Sequence, residues 1–115
     1  MKDQLFLLKP GFVTDGGGRF YCGDSVAVEG LLGFFPELRE KIDVHYLDYK
    51  KPREPIASWL GSENQSLPVL VLGEGLQGGV GELRPEQSGN GREYFPREAD
   101  IRKYLTIAYG LPTVA

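Results

Sequence analysis

The chain has 115 residues, 41% hydrophobic and 25% charged, with a formal net charge of −3. That length suits one domain with a single modest core, and the acidic balance excludes a binder that must neutralise many nucleic-acid phosphates. No apolar run approaches the roughly 18 residues needed to cross a bilayer, and one cysteine excludes an internal disulfide.

Met1-Lys2-Asp3-Gln4 runs straight into a strand pattern and not into the apolar stretch of a signal peptide. The expectation is one domain over residues 1–115 in a reducing, cytoplasmic compartment. Leu5-Phe6-Leu7-Leu8 is a continuous apolar run, the pattern of a strand buried on both faces. Lys9-Pro10-Gly11 ends it, and Thr14-Asp15-Gly16-Gly17-Gly18 reads as a loop. A helix follows, with Asp24 and Ser25 as its candidate caps. Val28, Leu31, Leu32 and Phe35 recur at i, i+3, i+4 and i+7 and give it one apolar side. Gly33 and Pro36 stop it, and Pro36 can open a further short turn to Lys41.

Val44 to Tyr49 is β-branched and aromatic, a second strand. Strand, helix and strand form a βαβ unit, which makes the two strands parallel with a right-handed crossover. Ile56 to Leu60 reads as a short helix closed by Gly61. Ser66 to Leu72 reads as a third strand, with Pro68 at its entrance a candidate cis-proline. Residues 73–91 form a long glycine-rich loop, open to a binding or a disordered reading. Arg92 to Phe95 pair back as a fourth strand. The last helix opens at Pro96, carries Ile101, Tyr104, Leu105 and Ala108 on its inner face, and ends at Gly110 and Pro112.

Cys22 stands at the start of the first helix. A thiol there meets unpaired backbone N–H groups and the positive end of the helix dipole, and both favour the nucleophilic thiolate. Ser25 cannot resolve a mixed disulfide, so turnover would need an external thiol. The plain alternative is a half-buried cysteine of no chemical consequence. Lys9, Arg19 and Arg97 are candidate partners for a ligand carboxylate, or else solvated surface charges. Tyr21 either shields the thiol or packs at the rim, and Trp59 reads as core. His45 has no companion histidine or cysteine for a zinc site, so no metal centre is read.

Three local motifs carry a resemblance. Cys22-Gly23-Asp24-Ser25 resembles the Cys-Gly-Phe-Ser site of monothiol glutaredoxins, with Asp24 in place of Phe. Ser66-Leu67-Pro68-Val69-Leu70 resembles the strand that opens on a cis-proline in glutaredoxins and glutathione transferases. Asp100 to Leu105, running on to Gly110, is similar to the helix that ends the transferase N-terminal domain. From Leu5 to Gly110 the chain thus resembles the thioredoxin-like superfamily. Leu7 to Phe12 and Glu63 to Pro68 are also similar to a small bacterial thioredoxin-like family of unknown function.

The resemblance implies an α/β thioredoxin-like fold, a four-stranded mixed sheet in the order β-α-β-α-β-β-α flanked by helices. It implies Cys22 as nucleophile beside Ser25, with Leu67 turned toward it and able to pair with an added strand of peptide or glutathione. Tyr21, Leu67, Pro68, Arg97 and Glu98 would surround glutathione. Arg97 and Glu98 stand where transferases hold its γ-glutamyl end with Glu-Ser or Gln-Ser. The function implied is monothiol exchange with glutathione or a protein disulfide. The alternative is a non-catalytic thioredoxin-like module for protein association, suggested by the altered 97–98 pair and the missing second cysteine. A homodimer is compatible with either; nucleic acid and membrane are not expected partners.

Overall fold

A computed structural model of the chain describes residues 1–74 and 80–115. Strand β1 (Gln4–Leu8) leads through the two short strands β2 (Phe12–Val13) and β3 (Arg19–Phe20) to helix α1 (Gly23–Phe34) and the one-turn α2 (Leu38–Lys41). Then come β4 (Asp43–Leu47), α3 (Ile56–Leu60), β5 (Val69–Val71), β6 (Glu86–Gln87), β7 (Glu93–Phe95) and α4 (Glu98–Ala108).

All five residues of β1 are buried, as an unbroken apolar run requires. It sits inside a mixed sheet of order β4-β1-β5-β7-β6. It runs parallel to β4, with Leu5 opposite Val44, and antiparallel to β5, with Leu5 opposite Leu70. The parallel pair is the one expected of the βαβ unit. Strand β7 pairs back on β5, as expected of Arg92 to Phe95.

The sheet has five strands and not the expected four. The addition is β6, inside the glycine-rich stretch, where two exposed polar residues pair with β7. Val80 and Leu83 from the same stretch are buried in the core, so the described part of this loop packs. Its residues 75–79 lie outside the described residues. The loop expected at 14–18 is also framed by structure, since β2 and β3 pair as a small ribbon. Its aromatic Phe12 stacks on Tyr49 with ring centroids 4.5 Å apart.

Alternate residues of a strand face opposite sides of its sheet. Leu5 and Leu7 therefore meet Val28 and Leu32 of α1 and Ile101, Tyr104 and Leu105 of α4. Phe6 points the other way, to Ile56 and Leu60 of α3 with Val69, Val71 and Tyr94. Two apolar layers result, and they fix the sheet between its helices. Burying each such leucine or phenylalanine contributes about 1.5–3 kcal/mol.

A polar clamp closes the amino end of β1. The Asp3 carboxylate, only 4% exposed, accepts the Gly73 N–H at 2.8 Å and the Tyr109 hydroxyl at 2.7 Å. Gly73 must be glycine here, because a Cβ would lie 1.9 Å from the Met1 carbonyl oxygen. No helix among the described residues is long and apolar enough to cross a membrane.

Candidate functional site

Helix α1 begins one residue after Cys22, and Cys22 is its cap. Asp24 and Ser25, the expected caps, lie inside the first turn. The reason is backbone geometry: the cap must be extended, and Cys22 is the extended residue, at φ −87° and ψ 115°. Its sulfur takes the part usually played by a serine or aspartate oxygen and accepts the Ser25 N–H at 3.4 Å.

Ser25 does a second job. Its side chain is buried, and Oγ accepts the Leu8 N–H at 3.1 Å. The Lys9 N–H goes to Leu47 of β4, so Leu8 donates toward the β5 side. Pairing with β5 ends at Phe6 and Val69, which leaves the Leu8 N–H without a strand partner on that side. The serine hydroxyl fills that place and ties the start of α1 to the end of β1.

The sulfur also lies 3.8 Å from the Leu67 carbonyl oxygen, to which the thiol donates. The Leu67–Pro68 peptide is cis, as expected. The half-buried Cys22 sulfur therefore stands between one acceptor, the Leu67 carbonyl, and one donor, the Ser25 N–H.

The other side of Cys22 opens on a cleft of about 200 Å³, walled also by Leu8, Tyr21, Val26, Glu29 and Tyr46. Tyr21 is a rim residue, 66% exposed. Glu29 is braced. Its carboxylate accepts the Tyr46 hydroxyl and an Arg39 N–H, each at 2.7 Å, and Arg39 also donates to the Tyr46 oxygen at 3.1 Å. Burial, and then the bond to Glu29, push the Tyr46 phenol above its ordinary value.

Cys22, Ser25, Tyr21, Leu67 and Pro68 thus gather around one sulfur. Arg97 and Glu98 do not line this cleft. Arg97 caps the backbone of α4 and donates to Asp100 at 3.1 Å, and Glu98 accepts from Arg102 at 2.7 Å. Lys9 pairs with Asp48 at 3.3 Å, and Arg19 lies on the exposed ribbon. Trp59 packs edge-on against Phe6 beneath the Arg92 guanidinium. His45 stacks on Phe6 and bonds Gln4 at 2.7 Å. Among the described residues no group of three or more His, Cys, Asp or Glu side chains could hold a metal ion.

Sequence reasoning missed Glu29, Arg39 and Tyr46. One signal was available for Glu29, which stands at i+7 from Cys22 and hence on the same helix face two turns on. Arg39 and Tyr46 join it only through the tertiary fold.

The architecture is that of an α/β protein with a thiol capping its first helix. Residues 2–113 match the model of a family described as a protein of unknown function, DUF3088, and the chain belongs to that family. No curated protein and no solved structure matches the chain.

Proposed function

We propose that the chain is a thioredoxin-like protein in which Cys22 is the nucleophile of a monothiol, glutathione-linked thiol–disulfide exchange. One observation carries the reading: the Cys22 sulfur caps α1 and sits 3.8 Å from the carbonyl oxygen of a cis Leu67–Pro68 peptide, at the edge of an open cleft. The order of the major elements supports it. Strand, helix, parallel strand, helix, two antiparallel strands and helix follow one another as in the resemblance.

In the first step the Cys22 thiolate attacks one sulfur of a disulfide. A new S–S bond forms to Cys22, and the other sulfur leaves as a thiolate. The buried Ser25 has no thiol to displace the adduct, so a glutathione thiolate attacks it and releases Cys22. Glutathione ends disulfide-bonded to the sulfur that Cys22 had held, and the electron pair stays on the single substrate thiol released in the first step.

The test is incubation with oxidised glutathione followed by intact-mass measurement. One glutathione per chain is expected on Cys22, removed again by reduced glutathione, and none on the Cys22→Ser variant. An unmodified wild-type chain would refute the reading.

The non-catalytic association module is favoured by a separate observation. The residues at the γ-glutamyl positions are occupied by the Arg97–Asp100 and Glu98–Arg102 pairs. Under that reading the wild-type chain takes up no glutathione in the same experiment.

A further inference from the structure

We infer that the cavity next to the Cys22 cleft docks an acidic segment of the protein whose disulfide Cys22 attacks. The inference rests on the exchange reading and adds the class of substrate.

Beyond Tyr46 lies a second cavity, of about 500 Å³, and Tyr46 lines both. It stands at the carboxyl ends of the parallel strands β1 and β4, since Lys9 follows one and Asp48 the other. Open α/β sheets bind their ligands outside those strand ends. Its walls carry four cations, Lys9, Lys50, Lys51 and Arg53, against two carboxylates, Asp48 and Glu54. The chain as a whole is net −3, so positive charge is concentrated here.

The two carboxylates cancel only part of that charge and leave the walls with an excess of cations. Glu54 is anchored by Ser58, accepting its N–H at 2.9 Å and its hydroxyl at 2.8 Å. Asp48 meets Lys9 across an exposed contact of 3.3 Å, a kind of pair worth little in water. Arg53 is held in place by the carbonyl oxygens of Tyr49 and Gln65, which order the guanidinium without neutralising it. Lys50 and Lys51 form no ion pair among the described residues.

The two cavities meet at Tyr46, and little unpaired negative charge stands between the sulfur and the cations. The one carboxylate in the Cys22 cleft, Glu29, is compensated by Arg39 at 2.7 Å. Tyr46, tied to both, lines the two cavities. Asp24 lines neither. A chain with its sulfur at Cys22 can therefore cross Tyr46 and lay Asp or Glu side chains against Lys50, Lys51 and Arg53.

Docking can be measured apart from redox chemistry. The probe is a fluorescein-labelled peptide rich in Asp and Glu, with serine at the position of its cysteine, read by anisotropy at low ionic strength. Wild-type protein should bind it, and binding should weaken about tenfold in the Lys50→Glu/Lys51→Glu variant. A Lys41→Glu/Lys103→Glu variant changes net charge equally on α2 and α4, and should stay within about twofold of wild type. Absent binding, equal binding of a peptide with Asn and Gln for Asp and Glu, or equal loss in both variants would overturn the inference. The cysteine form of the peptide, presented as its glutathione mixed disulfide, separates the two readings. Failure of Cys22 to take up either the peptide or the glutathione half of that disulfide would sink the exchange reading and leave the docking result standing.

Discussion

The two ends of β1 are finished in opposite ways. At its amino end the buried Asp3 carboxylate gathers the Gly73 N–H and the Tyr109 hydroxyl, at 2.8 and 2.7 Å. At its carboxyl end a hydroxyl, Ser25, takes the last strand N–H, and a thiol caps the helix beyond it through sulfur contacts of 3.4 and 3.8 Å. Sulfur is a weak donor and a weak acceptor. Oxygen with full negative charge is a strong acceptor. One end is therefore a staple. The other holds its sulfur by two weak contacts beside an open cleft. Under the proposed exchange, stability and chemistry would be lodged at opposite ends of one buried strand.

The contrast predicts where substitutions bite. Asp3→Ala should give the largest loss of stability among these contacts, about 2–3 kcal/mol, because two part-buried donors lose their acceptor at once. Urea unfolding measures it. The rate at which folded protein takes up glutathione at Cys22 should stay within about twofold, since the clamp lies at the far end of β1 from the sulfur. A neutral Asp3→Ala would break the comparison from the stable side.

Ser25→Ala tests the other end. It deprives the buried Leu8 N–H of its partner and should destabilise by about 1–2 kcal/mol. It also unties α1 from β1, so the sulfur is held less well against Leu67. Glutathione uptake should slow more than the loss of stability explains, and uptake measured well below the unfolding midpoint separates the two. If Ser25→Ala lowers stability and leaves uptake untouched, Ser25 belongs to the staple and not to the site.

Much of the frame was legible because it depends on local pattern. The apolar run of Leu5 to Leu8, the i, i+3, i+4, i+7 stripe from Val28 and the inner face of α4 each follow from burial on one or both sides. The local pattern made Pro68 only a candidate cis-proline; the expectation of a cis Leu67–Pro68 bond near Cys22 came from the resemblance. The cap was misread because residue type alone favours Asp24 and Ser25, while the extended backbone falls at Cys22. Strand β6 carries no signal at all: it is two exposed polar residues held by their partner strand. The Glu98–Arg102 pair could have been seen at i, i+4 spacing and would have shown that the carboxylate had a local partner. The Glu29–Arg39–Tyr46 brace joins three elements, and no local pattern reports such a meeting.

The smallest effect sharpens the comparison through pH. Burial first, then the hydrogen bond and charge of Asp3, raise the Tyr109 phenol well above its ordinary value near 10. The native state thus holds this proton more tightly than the unfolded chain does. The stability it lends is complete below about pH 10 and drains away as pH rises beyond, because the unfolded chain ionises first. Tyr46 and Tyr94 are raised too, chiefly by burial, so each adds to the same alkaline weakness. Tyr109→Phe removes the Tyr109 share. At neutral pH it should destabilise by about 1 kcal/mol, since Asp3 loses a donor. Between about pH 9 and pH 11 its unfolding midpoint should fall less steeply than that of wild type. Tyr46→Phe is the matched control, because Tyr46 stands over the open cleft and not at the clamp. Were Tyr46→Phe to flatten the alkaline slope more than Tyr109→Phe, the tighter proton would sit at the end that faces solvent, and the assignment of staple and site to the two ends of β1 would be reversed.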